Sequence, residues 1–294
     1  MNKIILATDS SKHLMLDNGK LEIGRFPDGE VSVVLGEDVK NKDVVIIGST
    51  HPPAENLIEL LLTLDAVVHH EVRKIKFVIP YLGYAKSDIE KVPGQSISSR
   101  AVINMIEALG GKKLEAIAVI NIHSDRAEKF FKTQFAHISL IEELAENFKY
   151  LKNFVIVSPD EGGIERAKEF ASFLDKKDIV TIKKNRLSHT NVKVLEISGN
   201  VDGTNAVIVD DMVQSGGTIL SAARTLKKNG AKDIYVASIH MDYAAGGWKK
   251  LDRSVLIKRV VTTDSIKPLK GLSKKFKIVS IAPILKQAIF SMEH

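Results

Sequence analysis

Short runs of apolar and β-branched residues recur along the chain, and most of them end in polar or turn-forming residues. Several runs are continuously apolar, a pattern typical of strands that are buried on both faces of a parallel sheet. The segments between them carry apolar residues at helical spacing, and Gly-Gly at 110–111 and Asn-Gly at 229–230 are helix stop signals. Strands that alternate with helices predict an α/β chain built from βαβ units. The predicted strands are 44–47, 75–79, 117–122, 154–157, 179–182, 206–209, 234–239 and 255–261, and the predicted helices are 56–68, 98–109, 141–148, 163–174 and 218–228.

The chain also contains a short internal repeat. Residues 117–123 and 234–240 share Ile, Val, Ile and His at the same spacing, and each segment follows a helix that ends in glycine. A length of 294 residues fits two domains of about 150 residues each. The repeat and the length together predict two similar halves, 1–150 and 151–294.

Composition narrows the class of protein. Hydrophobic residues make up 44% and charged residues 27% of the chain, which excludes a disordered or low-complexity protein. The absence of cysteine excludes disulfides, thiolate metal sites and a cysteine nucleophile, and it predicts a reducing, cytoplasmic setting. The 42 basic and 36 acidic residues give a net charge of +6, and the basic residues are not gathered into the concentrated face that a nucleic-acid binder needs. The most apolar stretch, 57–68, is too short and too often interrupted by polar residues to span a membrane, so we expect a soluble protein.

The most informative segment is 206–218. A buried strand is followed by two carboxylates, Asp210 and Asp211, then by a turn of small residues, and then by a helix. Gly216 and Gly217 let backbone amides approach an anion, and the helix adds its own unpaired N–H groups, so the segment can cradle a phosphate without a lysine. The adjacent carboxylates can accept hydrogen bonds from sugar hydroxyls. A Gly-Gly turn alone is more often structural, so the prediction depends on the whole segment.

This segment resembles the phosphoribosyl-diphosphate signature of the phosphoribosyltransferase superfamily, which includes transferases that consume the activated sugar and the synthetases that make it. Five further segments look like motifs of the ribose-phosphate diphosphokinases, and they occur in that family's order. The resemblance runs from Arg25 to about Pro283. The segments are Phe-Pro-Asp-Gly-Glu at 26–30, Tyr-Leu-Gly-Tyr-Ala-Lys-Ser-Asp at 81–88, Asn-Ile-His-Ser at 121–124, Val-Ser-Pro-Asp-Glu-Gly-Gly at 157–163 and Lys-Lys-Asn-Arg-Leu at 183–187.

The resemblance implies two phosphoribosyltransferase-like domains, each a mainly parallel sheet flanked by helices. It implies that the diphosphate of ATP is transferred to the C1 hydroxyl of ribose 5-phosphate, giving phosphoribosyl diphosphate and AMP. Mg²⁺ is the implied cofactor, and a homo-oligomer, a dimer or a hexamer, is the implied assembly. Such an in-line displacement at phosphorus needs charge neutralisation and positioning rather than a covalent nucleophile.

The resemblance also assigns roles to individual residues. Asp210 and Asp211 are expected to hold the ribose hydroxyls, and His123 and Asp160 the metal. Because Mg²⁺ prefers oxygen ligands, contact of His123 through water or through the phosphates stays an open alternative. The residues expected to cradle the 5-phosphate are Gln214, Ser215, Gly216, Gly217 and Thr218.

For the nucleotide, the resemblance indicates two segments. In the first, the ring of Phe26 is expected to stack on adenine, and the carboxylates of Asp28 and Glu30 are expected to accept hydrogen bonds from the exocyclic amine of adenine. Pro-Asp-Gly is also a turn signature, and both interpretations can hold. In the second, the family usually has Arg-Gln-Asp-Arg where this chain has Lys-Ser-Asp-Ile, so the first basic residue lacks a bidentate fork and the second is missing. The ATP contacts expected there are Lys86, Ser87, Asp88 and Arg100.

For catalysis, the resemblance implies Lys184 and Arg186, which follow the predicted strand 179–182. Residues 183–191 are nearly all polar and predict a hairpin loop, and the resemblance implies that this loop closes over the diphosphate. A charge run is usually a solvated face, and Lys183 beside Lys184 leaves two possible registers, of which Lys-x-Arg matches the family spacing. A phosphoribosyltransferase and a non-catalytic, synthetase-like regulatory subunit are the alternative functions.

Overall fold

The computed structural model describes residues 3–186 and 193–291. Contacts divide this part of the chain into two compact units. The first comprises 3–139, 265–267 and 280–291, and the second comprises the remaining described residues from 140 to 279. The second unit therefore begins at Leu140, and the C-terminal segment belongs to the first. The domain division at 150/151 stays a prediction about the chain's two halves.

The first unit is built on a five-stranded sheet in which every neighbouring pair is parallel. The spatial order of its strands is β1 (Lys3–Ala7), β4 (Asp43–Ile47), β5 (Lys74–Ile79), β6 (Leu114–Ile120) and β7 (Gln134–Ile138). An antiparallel hairpin, β2 (Leu21–Arg25) and β3 (Val31–Leu35), forms a separate two-stranded sheet. The helices are α1 (Glu55–His69), α2 (Ser98–Gly110), α3 (Asp125–Glu128) and α8 (Ala282–Ser291).

Burial explains why these segments form this unit. In α1 the residues Leu57, Leu60, Leu64 and Val67 are buried, and their spacing places them on one helical face. The same helix packs against α2 and against β3 of the hairpin. The last four residues of β4 are all buried, as expected for a strand covered on both faces.

The second unit is built on a seven-stranded sheet in which only the β9–β10 pair is antiparallel. All eight residues of its strand 234–241 are buried. The spatial order is β10 (Lys193–Ser198), β9 (Ile179–Arg186), β8 (Phe154–Ser158), β11 (Asn205–Val213), β12 (Ile234–Met241), β13 (Ile257–Thr263) and β14 (Phe276–Val279). The helices are α4 (Ile141–Glu146), α5 (Ile164–Ser172), α6 (Gly217–Lys228) and α7 (Gly247–Arg253).

The predicted α/β class is confirmed, and each predicted strand and helix is present with shifted ends. The sequence analysis missed β1, β7, β10 and β14, all of which lie at sheet edges. Of these strands, β7, β10 and β14 lack the continuous apolar run of a central strand. The sequence analysis also missed the β2–β3 hairpin, although Pro-Asp-Gly marks its turn. No helix among the described residues is long and apolar enough to cross a membrane.

Two boundaries predicted from the sequence are wrong. The strand predicted at 206–209 continues to Val213, so Asp210 and Asp211 belong to β11 instead of following it. The predicted loop 183–191 begins too early, because residues 183–186 pair with 193–196 as the ends of β9 and β10. Backbone pairing holds these polar positions in a strand, a cause that a hydrophobicity pattern does not reveal. Residues 187–192 lie outside the described residues.

Candidate active site

The carboxyl ends of β8 and β11 meet at one edge of the second unit's sheet, because the two strands are parallel neighbours. This edge is where ligands bind in open α/β sheets. Asp160 follows β8, and Asp210 and Asp211 lie in the last part of β11. The fold therefore brings together three acidic residues that the sequence analysis selected separately.

Arg166, the third residue of α5, lies against the two aspartates. Its Nη1 is 3.2 Å from Oδ1 of Asp210 and 3.5 Å from Oδ1 of Asp211. The side chains are largely removed from solvent, with exposed fractions of 19% for Arg166, 18% for Asp210 and 8% for Asp211. Burial first, and then the charge of Asp211, raise the pKa of Asp210 well above its ordinary value, and Arg166 only partly opposes this. One cation thus faces two carboxylates that repel each other.

Arg166 was missed by the sequence analysis. The available signal was its place three residues after the Gly-Gly of 162–163, in a helix that starts at the same sheet edge as the aspartates. Gly163 contributes by its size, because a Cβ there would lie 2.9 Å from Oγ of Ser158 and 3.5 Å from Nη1 of Arg166.

The predicted phosphate loop connects β11 to α6. We define it as residues 214–217. Gly216 caps the helix in the left-handed region with a φ of 72°, which favours glycine. Ser215 and Gly217 are exposed, as is Thr218 in the first turn of α6. The loop is therefore open to solvent at a helix N-terminus, and it immediately follows the strand that carries Asp210 and Asp211.

Asp160 has a defined local role. Its Oδ1 accepts a hydrogen bond from the backbone N–H of Gly163 at 3.2 Å, which caps the 3₁₀ turn before α5. The hydroxyl of Ser158 donates to the backbone carbonyl of Asp160 at 2.7 Å. The charge of Asp160 also contributes to the raised pKa of Asp210. The capping contact holds the carboxylate at the sheet edge.

In the first unit, the segments of Asp88 and His123 are joined by a hydrogen bond. Oγ of Ser124 donates to Oδ2 of Asp88 at 2.6 Å, and this Oγ also accepts a hydrogen bond from the backbone N–H of Arg126. His123 precedes this serine and is exposed. The fold thus places the second nucleotide segment beside the predicted metal residue of this unit.

The loop 81–88 is anchored by buried hydroxyl groups at the end of β4. Thr50 Oγ1 accepts from the N–H of Gly83 at 2.8 Å, and Ser49 Oγ accepts from the N–H of Tyr81 at 3.1 Å. A Cβ at Gly83 would lie 2.3 Å from the carbonyl oxygen of Thr50. This close approach fixes the start of the loop that carries Lys86 and Asp88.

Ser87 and Arg100 have different surroundings. The carbonyl of Ser87 accepts from the N–H and Oγ of Ser99 at 3.2 and 3.0 Å, and its hydroxyl donates to the carbonyl of Ser96. These bonds attach the loop to the start of α2. Arg100 is exposed in the first turn of that helix.

The Phe26 segment forms the tip of the β2–β3 hairpin. Its turn is closed by hydrogen bonds of 2.8 Å from Phe26 N to Glu30 O and from Gly29 N to Phe26 O. Oδ1 of Asp28 accepts from the N–H of Glu30 at 3.1 Å, and Phe26 is 54% exposed. The turn prediction is therefore confirmed, and the phenyl ring is available to a ligand.

The hairpin is attached to α1, whereas the loop 81–88 is attached to β4 and α2. Arg25 Nη2 lies 2.6 Å from Oε1 of Glu59, a residue of α1 that is 2% exposed. The two predicted nucleotide segments thus have separate supports within the first unit.

Comparisons with known proteins agree with these motifs. Residues 2–110 match the model of the N-terminal domain of ribose phosphate pyrophosphokinase, and residues 131–268 match the phosphoribosyl transferase domain. The ribose-phosphate pyrophosphokinase of Fusobacterium nucleatum is 35% identical over 97% of this chain and 90% of its own length. The chain belongs to the ribose-phosphate pyrophosphokinase family. The family's enzyme from Bacillus subtilis is 35% identical over 92% of this chain and 85% of its own.

A solved structure supports the same conclusion for the fold. The phosphoribosylpyrophosphate synthetase of Mycobacterium smegmatis matches with a TM-score of 0.88, 25% identity and coverage of 99% of both chains. The predicted family and its fold are confirmed, and the chain is an enzyme of the pyrophosphokinase family.

The segment that the sequence analysis selected for catalysis lies at the end of β9, where the backbone of residues 183–186 pairs with that of 193–196. The side chains of Lys184 and Arg186 lie outside the described residues.

The carboxylates of the second unit suit a magnesium ion whose remaining ligands are water and substrate phosphates. No group of three His, Asp or Glu side chains within 3–186 and 193–291 is arranged to hold a metal. Asp160, Asp210 and Asp211 nevertheless supply the hard oxygen donors that Mg²⁺ prefers. The ion is usually held by one or two carboxylates together with water and substrate phosphates.

Proposed function

We propose that this protein transfers the diphosphate of ATP to the C1 hydroxyl of ribose 5-phosphate, giving phosphoribosyl diphosphate and AMP. The observation that carries the proposal is the Asp210–Asp211 pair near the end of β11, followed after two intervening residues by the phosphate loop 214–217, in which Ser215 and Gly217 are exposed. Carboxylates that can bind sugar hydroxyls thus lie beside backbone amides that can bind a phosphate. Within the first unit, the match to the family's N-terminal domain favours the synthetase over a phosphoribosyltransferase.

In the proposed reaction, the C1 oxygen of the sugar attacks the β-phosphorus of ATP. The bond between that phosphorus and the oxygen bridging to the α-phosphate breaks, AMP leaves with this oxygen, and the C1 hydroxyl releases its proton. Asp210 and Asp211 hold the ribose hydroxyls, and residues 214–218 hold the 5-phosphate at the N-terminus of α6. The sugar is thereby oriented before the attack.

Arg166 supports this arrangement by neutralising part of the charge of the two aspartates. Without a cation, two adjacent carboxylates that are largely buried would not both stay ionised. Arg166 at 3.2 and 3.5 Å offsets part of this cost, and the pair presents carboxyl oxygens to the sugar hydroxyls. Arg166 is in this proposal a positioning residue.

For ATP, we assign adenine to the exposed ring of Phe26 with the carboxylates of Asp28 and Glu30. We assign the second nucleotide contacts to Lys86, Ser87, Asp88 and Arg100. Lys184 and Arg186 stabilise the charge that develops on the transferring diphosphate, as the family resemblance implies. Lys86 carries an ammonium where the family usually has a guanidinium. Phosphate binding at this position therefore depends on a point charge instead of bidentate hydrogen bonds.

Mg²⁺ is the proposed cofactor, and His123 and Asp160 are the residues assigned to it. The ion would neutralise phosphate charge and orient the nucleotide. Asp160 is preorganised for this task because its capping bond to Gly163 uses only Oδ1. A cytoplasmic location and a homo-oligomer, a dimer or a hexamer, complete the proposal.

The test is a coupled assay of AMP formation from ATP and ribose 5-phosphate with Mg²⁺. We expect AMP that depends on all three components. AMP release without sugar would indicate hydrolysis, and turnover only with phosphoribosyl diphosphate and a base would indicate a transferase. Absence of turnover in every combination would favour the non-catalytic subunit.

A further inference from the structure

The phosphate loop is supported by residues 242–247, which we call the loop support; they connect β12 to α7 and include Gly247, the first residue of α7. At Gly247, a Cβ would lie 1.9 Å from the carbonyl oxygen of Gln214 and 2.7 Å from the backbone N of Gly216. At Gly216, a Cβ would lie 2.8 Å from Cδ1 of Leu251 and 3.2 Å from the carbonyl oxygen of Gly247. The two backbones are therefore in direct contact, with no room for a side chain between them.

Asp242 makes the polar connections between the support and the loop. Its backbone N–H donates to the carbonyl of Val213 at 2.8 Å. Its Oδ2 accepts from Nε2 of Gln214 at 2.9 Å, and its Oδ1 accepts from the N–H of Ala244 at 3.0 Å. Each carboxylate oxygen thus has a donor, one within the support and one in the loop.

These contacts give the loop a fixed starting point. Gln214 is the first residue after β11, and its amide would otherwise be free to rotate at the entrance to the phosphate cradle. A hydrogen bond to a charged acceptor is stronger than one between neutral groups, so a carboxylate is well suited to hold this amide. The Oδ1 bond to Ala244 in turn orients the carboxylate itself.

We propose that Asp242 is a positioning residue for ribose 5-phosphate: by holding Gln214, it keeps the phosphate loop in the conformation that accepts the 5-phosphate. This inference rests on the proposed function. An acidic residue so close to an anion site would ordinarily weaken binding, but here both oxygens of Asp242 are engaged by donors. Its effect on the phosphate is therefore exerted through the shape of the loop.

The proposal predicts a selective change in one substrate constant. A loop that must be ordered at the moment of binding costs affinity for the ligand that uses it and leaves the other ligand unaffected. We expect Asp242→Ala to raise KM for ribose 5-phosphate about tenfold, equivalent to about 1.4 kcal/mol, with KM for ATP within about twofold of wild type. The turnover number should change little, because the lost interaction contributes equally to binding in the ground state and in the transition state.

Two further variants separate positioning from a general structural role. Asp242→Asn should restore KM for ribose 5-phosphate to within about threefold of wild type, because Asn can accept from Ala244 and donate to a reversed Gln214 amide. Asp242→Ser keeps an acceptor for the N–H of Ala244, but its side chain is too short to reach Gln214. Its KM for ribose 5-phosphate should therefore rise about as much as that of Asp242→Ala, and it serves as the test if the Ala variant folds poorly. Asp233→Ala is the matched control, since Asp233 precedes β12 as Asp242 follows it and its carboxylate forms a surface salt bridge with Lys258.

The measurements are steady-state kinetics for both substrates and calorimetric titration of ribose 5-phosphate into each variant. An unchanged KM for the sugar, an equal rise in both KM values, or an Asn variant as impaired as the Ala variant would each overturn the proposal. Wild-type protein without AMP formation would instead contradict the proposed function. In that case, the calorimetric comparison of Asp242→Ala with wild type still decides whether Asp242 controls sugar-phosphate binding.

Discussion

The guanidinium of Arg166 lies 3.2 Å from Asp210, yet the pKa of Asp210 is still raised well above its ordinary value. Burial and the neighbouring charge of Asp211 therefore outweigh the attraction of Arg166. The fold thus keeps an acid pair that is unfavourable for stability at the place where the proposed function needs carboxyl groups for the ribose hydroxyls. Such a site shows a conflict between stability and function that mutation can expose.

Asp210→Asn is expected to stabilise the protein at neutral and alkaline pH. A carboxyl with a raised folded-state pKa favours folding fully below its unfolded pKa of about 4, and this contribution is lost as the pH rises through the folded value. The Asn variant lacks that loss, so its Tm should exceed that of wild type by about 2–4 °C at pH 8. The difference should vanish near pH 4. Thermal unfolding followed across this range provides the measurement.

The control for this variant is Asp178→Asn, which changes an exposed aspartate just before β9. Its Tm should follow that of wild type at each pH. If Asp210→Asn were less stable than wild type at pH 8, the hydrogen bonds of Asp210 to Arg166 and to the N–H of Asp211 would matter more than its desolvation. Our account of the acid pair would then be wrong.

Arg166→Met is expected to destabilise the protein at neutral pH. Removing the guanidinium leaves Asp210 and Asp211 facing each other without a cation, and a lost hydrogen bond to a charged group costs about 1.5–3 kcal/mol. The loss should shrink as the pH falls and the carboxyls become protonated. Denaturant unfolding at pH 8 and pH 4 measures the difference. Arg166→Lys, which keeps the charge but not the fork, should be intermediate; equal losses at both pH values would show that Arg166 acts through packing.

Lys184→Ala is expected to lower kcat by several powers of ten with small changes in KM. The reason is that charge on the transferring group is greatest in the transition state. Lys183→Ala is the matched control, because Lys183 is the adjacent lysine of the same strand and is exposed. Steady-state kinetics on both variants decides the register. A crippled Lys183 variant would reverse the assignment, and two active variants would remove the catalytic role of this strand end.

Gly83→Ala is expected to weaken ATP binding. The added methyl would meet the carbonyl oxygen of Thr50 at 2.3 Å, so the loop that leads to Lys86 and Asp88 must move. We expect KM for ATP to rise at least about fivefold, a change of about 1 kcal/mol, with a smaller change for ribose 5-phosphate. Gly24→Ala is the control for an added methyl, since no atom lies within 4 Å of its Cβ position. Unchanged ATP kinetics in a folded Gly83→Ala variant would separate this loop from the nucleotide.

The sequence by itself determined the central strands of both sheets, the longer helices and the phosphate loop. Continuously apolar runs such as 206–209, and apolar residues at helical spacing such as those of 56–68, are local patterns that the chain carries whatever its partners. The residues of the phosphate loop are also contiguous, and they follow Asp210 and Asp211 after two intervening residues. Contiguous motifs of this kind were sufficient to indicate the family.

Only the tertiary structure decided which residues support those motifs. Arg166 contacts an aspartate 44 residues away, Ser124 binds Asp88 across 36 residues, and Asp242 holds Gln214 across 28. The extent of β9 depended in the same way on its pairing with β10. Such contacts arise because parallel strands that are distant in sequence bring their carboxyl ends to one edge of a sheet. No local pattern of hydrophobicity or charge encodes which side chains then meet.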